Sequence, residues 1–364
     1  MKMNKKILII ANDFTTVYNF RLELIEYLIS HKQKVFIALP NDKRNDVFIS
    51  LGVNIIPLNI NRFGTNPIED LKTTFTICKI IKDIKPDIVF TYTAKPNIYG
   101  GLACRFSKTP YVANITGLGS NFEKQNIIAK IMLVLQKIAY KKAKMVFFQN
   151  NSNLEFFKSK KIIKKNFGLL PGSGVNLKSN AYQDMPYNDT VKFITVARIR
   201  KDKGYDELFK AINRATNETL NAEFHIVGWY EDEEYKTKIE SFNNNKNVIF
   251  YNGVSHEEVY KLLVECDCLI HPSHHEGMSN VILEASATGR PSIVSNIPGC
   301  AEGVTDGKSG FYFEVKNTDD LYEKIKYFTT LSHQKKSDLG KAARQKAESE
   351  FDRQIVIDKY YELI

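Results

Sequence analysis

The stretch 'CLIHPSHHEGMSNVILEASATGRPSIVSN' (residues 268–296) decides the fold of this chain. 'CLIHPS' is a short apolar run of strand length. 'SNVILEASATG' has helical spacing and is closed by Gly289 ahead of Pro291, and 'PSIVSN' is a second short apolar run. A strand, a helix and a strand in succession make a parallel pair covered by its crossover helix. The loop between the first two elements carries chemistry. Gly277, Met278, Ser279 and Asn280 stand at the helix N-terminus, where free N–H groups and the positive dipole end favour an anion. A glycine there lets a phosphate come close to the backbone. Glu276, just ahead, is placed to accept hydrogen bonds from hydroxyls of whatever the phosphate carries. Glu284, two turns into the helix, can clasp a vicinal diol such as a ribose. The parts describe a site for a sugar diphosphate bearing a nucleoside. The plainer reading, a dipole-supporting Glu276 and a solvated Glu284, would suit an isolated pair of glutamates.

Two further segments converge on the first reading. 'VKFITVAR' (191–198) is another strand, and 'ARIRKDKG' puts Arg198 and Lys203 at its carboxyl end. A guanidinium and an ammonium there can neutralise the charge that develops on a departing diphosphate; the alternative is a pair of solvated surface cations. 'EFHIVGW' (223–229) and 'NVIFYNG' (247–253) place Gly228 and Val254 after successive strands, where backbone can border a flat base.

The same alternation runs through the first half. 'KILIIAN' (6–12), 'KVFIALP' (34–40), 'NIIPLNI' (54–60), 'DIVFTYT' (87–93), 'YVANITG' (111–117) and 'MVFFQN' (145–150) read as strands, with helical patterns over 20–31, 68–84, 97–107 and 126–143 between them. Periodicity stops where Pro, Gly, Ser and Asn accumulate before residue 190, then restarts. The expected organisation is a first doubly wound domain over 1–173, a linker over 174–190, a second such domain over 191–345 and a terminal helix over 346–364. Ligands of such sheets bind beyond the carboxyl ends of the strands.

Charge separates the halves. Residues 1–173 hold 27 Lys+Arg against 11 Asp+Glu, an excess of 16, whereas the remainder holds 24 against 30. A polyanionic surface met by the first half follows, either nucleic acid or an anionic membrane. Few aromatic residues interleave with the basic clusters and no nucleic-acid motif appears, which disfavours the first. 'NIIAKIMLVLQKIAYKKAK' (126–144) mixes Ile127, Ile128, Ile131, Leu135 and Ile138 with five lysines, and 'KSKKIIKKNF' (158–167) repeats the theme. Both suit anionic headgroups, although 126–144 also fits a core helix with a lysine-rich solvent face. No run of about 18 apolar residues offers a membrane span. The start, 'MKMNKKILIIAN', reads as a buried strand rather than a leader. Five cysteines, an odd number, suit a reducing cytosol. Cys266 and Cys268 read as buried thiols, no second Cys or His pair having zinc-site spacing. His271, His274 and His275 read as packing residues, with His274 or His275 beside a sugar as the alternative.

On Arg198 and Lys203 in 'ARIRKDKG', the Glu-x7-Glu pair Glu276 and Glu284, and the trailing 'SNIPGCAEGV', the chain resembles glycosyltransferase family 4. The resemblance covers essentially the whole chain and is most specific over 191–310. It implies the GT-B fold, with two Rossmann-like domains, an active site in the cleft between them and a terminal helix crossing back to the first. It implies a retaining, metal-independent enzyme with no cofactor beyond its UDP-sugar donor. In that family the Arg/Lys pair binds the donor diphosphate, the first Glu contacts the donor sugar and the second holds the ribose. The loop after the first strand would face the acceptor. Here it carries Asp13, Thr15, Thr16, Tyr18, Asn19 and Arg21 in place of the paired glycines of many members, Arg21 being open to a helix-capping role instead. Where members often have a histidine near the donor sugar, this chain has Ala94 and Lys95, and Lys95 becomes the substitute. 'NITGLGSNF' (114–122), with Gly117 and Gly119, is similar to members that build capsules, O-antigens and glycans on polyprenyl diphosphate. The expected partners are therefore a UDP-sugar, a polyprenyl-diphosphate-linked saccharide and an anionic membrane, the enzyme lying in the cytoplasm at the inner membrane face. The competing readings are a basic nucleic-acid-binding protein and a nucleotide-sugar isomerase or hydrolase of the same fold.

Overall fold

The computed structural model describes residues 4–61, 64, 66–117, 127–231, 233–242 and 244–364. The chain forms two compact units, one of residues 1–173 with 354–364 and one of residues 174–353.

In the first unit seven parallel strands, β1 (Lys6–Ile10), β2 (Lys34–Leu39), β3 (Asn54–Pro57), β4 (Ile88–Tyr92), β5 (Tyr111–Ile115), β6 (Met145–Phe148) and β7 (Phe167–Leu169), lie in the order β3-β2-β1-β4-β5-β6-β7. Successive side chains leave opposite faces of a strand, so Ile7 and Ile9 enter one core and Leu8 and Ile10 the other. Helices α3 (Pro67–Ile84), α4 (Gly101–Ser107), α5 (Ile127–Tyr140) and α6 (Asn151–Ser159) cover one face. Helices α1 (Phe14–Ser30), α2 (Asp46–Ser50) and α13 (Arg353–Tyr361) cover the other. Tyr360 of α13 is fully buried between Phe90, Tyr92 and Phe147, and its hydroxyl accepts from Asn114 Nδ2 at 2.9 Å. Helix 346–364 is not continuous: α12 (His333–Glu350) ends in the second unit, and Phe351 and Asp352 separate it from α13. The 158–167 segment departs from its expected lipid-facing role. Ile162 and Ile163 are buried in the core, because the chain turns there into β7, a strand too short to stand out in the sequence.

The second unit repeats the plan with six parallel strands, β8 (Val191–Val196), β9 (Ala222–Val227), β10 (Val248–Tyr251), β11 (Cys268–His271), β12 (Ser292–Ser295) and β13 (Gly310–Phe313), ordered β10-β9-β8-β11-β12-β13. Helices α7 (Tyr205–Asn217), α8 (Glu234–Glu240) and α11 (Thr318–Thr329) pack on one face, and α9 (His256–Glu265) and α10 (Asn280–Ala287) on the other. Residues 174–190 contain no strand or helix. The fully buried Arg290 fastens part of this segment, donating to the carbonyls of Gln183 at 2.9 Å and Asp184 at 3.0 Å. Strand order reverses between β1 and β4 in the first sheet and between β8 and β11 in the second. Such reversals are where loops leave the sheet in opposite directions and open a crevice for a ligand.

Candidate functional site

Both segments that follow the reversal in the second unit carry the expected site residues. Beyond β8 the chain makes a single 3-10 turn over Lys201–Lys203 and enters α7 through Gly204. Beyond β11 it runs from His271 to Glu276 and into α10. The two loops are stitched together, the His274 amide donating to the Asp202 carbonyl at 2.8 Å and His274 Nε2 lying 3.2 Å from Glu207 Oε2. Gly204, at φ +74°, could carry no side chain: a Cβ would stand 1.9 Å from the Pro272 carbonyl oxygen. This close approach brings Lys203 onto the end of β11.

The result is a compact polar cluster. Lys203 Nζ lies 2.6 Å from Glu276 Oε1, and His271 Nε2 lies 3.0 Å from the same oxygen and 3.1 Å from Ser279 Oγ. Burial works to raise the Glu276 carboxyl, but the His271 hydrogen bond and the Lys203 charge overcome it and hold its pKa at about 2. Glu276 is thus held as an anion, the form that accepts hydrogen bonds from hydroxyls. The ionised carboxylate requires a donor at His271 Nε2, so that ring nitrogen carries a proton. His271 Nδ1 is buried with no protein partner. Ser279 stands at the N-cap of α10 without capping it, its hydroxyl being turned to His271. The loop after β12 supports the motif from behind. Ser279 N donates to the Gly299 carbonyl at 2.9 Å, and Gly299, at φ +83°, leaves no room for a Cβ, which would meet the Glu276 and Gly277 carbonyl oxygens at 2.7 Å.

The other expected donor residues fall into place unevenly. Glu284 Oε1 lies 3.0 Å from Nε2 of the exposed His256, at the opposite end of the motif from Lys203. The Met278 side chain is buried with Val175, Leu283, Ala287, Ala347 and Phe351, so only its backbone is available to a ligand. Arg198 is not joined to Lys203: its Nη1 pairs with Glu231 Oε1 at 2.9 Å, a carboxylate that Arg200 also meets at 3.3 Å. Gly228, directly after β9, lies against the Ala197 carbonyl oxygen and is followed by the half-exposed Trp229, while Val254 is half-buried. His271 is the residue that sequence reasoning missed. Its signal was its place as the last residue of a strand whose next loop carries Glu276.

In the first unit the residues after β1 serve the backbone first. Asp13 caps α1, accepting from Thr16 N at 2.7 Å and Thr16 Oγ1 at 2.9 Å. Thr15 is exposed, and Tyr18, also exposed, stacks on Phe14 with 5.2 Å between ring centroids. Asn19 is half-buried. Arg21 is 2% exposed, its guanidinium 4.4 Å over the Tyr92 ring and its Nη1 donating to the Phe20 carbonyl at 2.9 Å. It is a core cation rather than a helix cap. Ala94 is exposed, and Lys95 pairs with Asp70 at 2.8 Å. Gly117 follows β5, and Gly119 lies outside the described residues. Of the three clustered histidines, His271 faces Glu276 and His274 faces Glu207, so those two do not converge. No helix among the described residues is long and apolar enough to cross a membrane.

Comparison with known proteins identifies the family. Residues 6–150 match the family model 'Glycosyl transferase 4-like' and residues 183–346 match 'Glycosyl transferases group 1'. A relative in Campylobacter jejuni, N,N'-diacetylbacillosaminyl-diphospho-undecaprenol alpha-1,3-N-acetylgalactosaminyltransferase, is 28% identical, the match covering 96% of this chain and 95% of that protein. An Escherichia coli relative, UDP-Gal:alpha-D-GlcNAc-diphosphoundecaprenol alpha-1,3-galactosyltransferase, is 27% identical over 70% of this chain and 69% of its own length. Among solved structures, Anabaena HepE in complex with UDP and glucose superposes with a TM-score of 0.81 at 16% identity, covering 99% of both chains.

Proposed function

This chain belongs to the glycosyltransferases built from a 4-like domain followed by a group 1 domain, and we propose that it moves a hexose or N-acetylhexosamine from a UDP-sugar to a saccharide on polyprenyl diphosphate, retaining the anomeric configuration. The observation that carries this reading is the Lys203–Glu276–His271 cluster at the strand-order reversal of the second unit. The names of two relatives, one specifying N-acetylgalactosamine transfer and one UDP-Gal, both with diphospho-undecaprenol acceptors, support the substrate classes. N-acetylgalactosamine is the first donor to test, since that relative matches nearly the whole chain.

In this reading Lys203 meets the donor diphosphate, and Arg198 joins it by leaving Glu231. Backbone N–H groups of Gly277 and Met278 share the charge that develops as the anomeric C–O bond breaks, the Ser279 N–H being committed to the Gly299 carbonyl. Glu276, kept ionised by Lys203 and His271, accepts hydrogen bonds from the donor sugar and fixes its orientation. The acceptor hydroxyl bonds to the anomeric carbon on the face the diphosphate is leaving, and its proton passes to a departing phosphate oxygen. Glu284 holds the ribose diol, exchanging His256 for it. With cationic side chains and N–H groups meeting the diphosphate, the reaction runs without a metal ion. The enzyme works at the cytoplasmic face of the membrane that holds its acceptor.

The test is a thermal-shift panel of nucleotides and nucleotide sugars on the wild type and Glu284→Ala, followed by transfer assays on lipid-linked acceptors. Stabilisation by UDP and one UDP-sugar, lost in the variant, supports the donor site. No stabilisation by any nucleotide at millimolar concentration overturns it. Turnover of the sugar without an acceptor would point to the isomerase or hydrolase instead.

A further inference from the structure

The apolar residues left uncovered on this molecule are concentrated in one layer. Of thirteen large hydrophobic side chains exposed among the described residues, seven lie on the neighbouring helices α3, α4 and α5: Ile68, Leu71, Phe75, Phe106, Ile131, Val134 and Ile138. Phe75 is 66% exposed and Phe106 71%. On α3 the uncovered residues recur at Ile68, Leu71 and Phe75, and on α5 at Ile131, Val134 and Ile138, the same i, i+3, i+7 interval in each. At 3.6 residues per turn such a set occupies an arc of roughly 60°. The opposite sides of these helices are already satisfied: Ile77 and Ile81 of α3 and Ala139 and Tyr140 of α5 are buried in the core of the first unit. Both apolar stripes therefore face away from the sheet, and α4, packed against both α3 and α5, exposes Phe106.

The polar residues around these stripes have a sign. Lys72, Lys79 and Lys82 border the stripe on α3, and Lys130, Lys137 and Lys141 border the one on α5; all six are exposed. Helix α5 contains no acidic residue, and α4 contributes Arg105. The acidic groups of α3 are Glu69, Asp70 and Asp83, of which Asp70 is tied to Lys95 at 2.8 Å. A second copy of this chain would bring lysine against lysine, and a soluble ligand would not need seven apolar residues spread over three helices. A bilayer with anionic headgroups answers both features, apolar side chains entering the acyl boundary while lysine ammonium groups stay with the phosphates.

We propose that the α3–α4–α5 layer is a membrane-docking face that inserts Phe75, Phe106 and the two apolar stripes into an anionic lipid surface. Its purpose rests on the lipid-borne acceptor proposed above, but vesicle binding is measured without any transfer reaction, so the two readings fail separately. The face also differs from what charge alone suggests: α3 and α4 contribute as much apolar surface as the lysine-rich α5.

The experiment is co-sedimentation of the full chain with vesicles of equimolar phosphatidylglycerol and phosphatidylcholine, and with phosphatidylcholine alone. The wild type should partition to the anionic vesicles at least tenfold better. Phe75→Glu with Phe106→Glu should weaken that partitioning tenfold or more, and Lys130→Gln with Lys137→Gln about fivefold per lysine. All four sites are exposed, and an unchanged thermal shift with UDP, or an unchanged circular dichroism spectrum should UDP give no shift, verifies folding. Wild-type behaviour of the phenylalanine variant, or equal binding to both vesicles, would overturn the proposal. So would a dimer in sedimentation velocity that the same variant dissolves, since the face would then belong to a second copy.

Discussion

Lys203 and Glu276 are 73 positions apart in the chain, yet Nζ and Oε1 meet at 2.6 Å with both side chains largely covered. One leaves β8 and the other β11, the two strands that flank the reversal of strand order. A buried carboxylate that loses an ammonium partner loses much of the compensation for its charge. Lys203→Ala should therefore lower kcat/KM for the UDP-sugar by about 10²–10³, or about 3–4 kcal/mol of transition-state stabilisation. UDP release in the presence of a lipid-linked acceptor measures this.

His271 supports the same carboxylate through Nε2. The Glu276 pKa is depressed from the ordinary 4.5 to about 2, so its contribution to stability is complete above about pH 4.5 and is lost as pH falls towards 2. His271→Phe removes the donor and lets burial push the carboxyl up again. Urea midpoints measured from pH 3 to 7 should begin to fall at a higher pH in the variant than in the wild type. His271→Gln, which restores an N–H donor, should recover part of the difference.

Gly204 is a position where one methyl group should be costly. Its φ of +74° disfavours any L side chain, and a Cβ would stand 1.9 Å from the Pro272 carbonyl oxygen. Gly204→Ala should destabilise the protein by about 3 kcal/mol or more and misplace Lys203. Denaturant unfolding followed by the UDP thermal shift reads both effects.

His225 gives an acid-side signature of the second unit. Burial lowers its pKa below the ordinary 6.5, against the pull of Glu223, whose Oε1 lies 2.6 Å from Nε2. The unfolded chain then takes up the proton more readily, so stability falls as pH drops through 6.5. His225→Gln should flatten the slope of melting temperature against pH between 7 and 5.

Much of this architecture is legible in the sequence because parallel strands buried on both faces are dense in Ile, Val and Phe, as in 'KILII' and 'VKFITV'. The Glu276 loop is legible because a strand, a glycine-led turn and a helix are consecutive. What escapes is contact between distant segments. Nothing near His271 shows that its imidazole will meet Glu276 and Ser279 together. Arg198 looks equivalent to Lys203 until Glu231, 33 positions on, claims its guanidinium. Arg21 reads as an acceptor contact or a helix cap, whereas the Tyr92 ring that covers it comes from β4. Ile162 and Ile163 read as one face of a basic amphipathic segment, and only the pairing of β7 with β6 turns them inward.

Tyr360 fills the centre of one core of the first unit, yet it follows the whole second unit in the chain. During synthesis the first unit therefore waits with Phe90, Tyr92 and Phe147 uncovered until residues 354–364 have been added. The unit begun first is the one completed last, the core under α1 and α2 being closed only when the whole second unit has already been made. A chain released before residue 354 would carry every residue of the proposed donor site and an unfinished first unit.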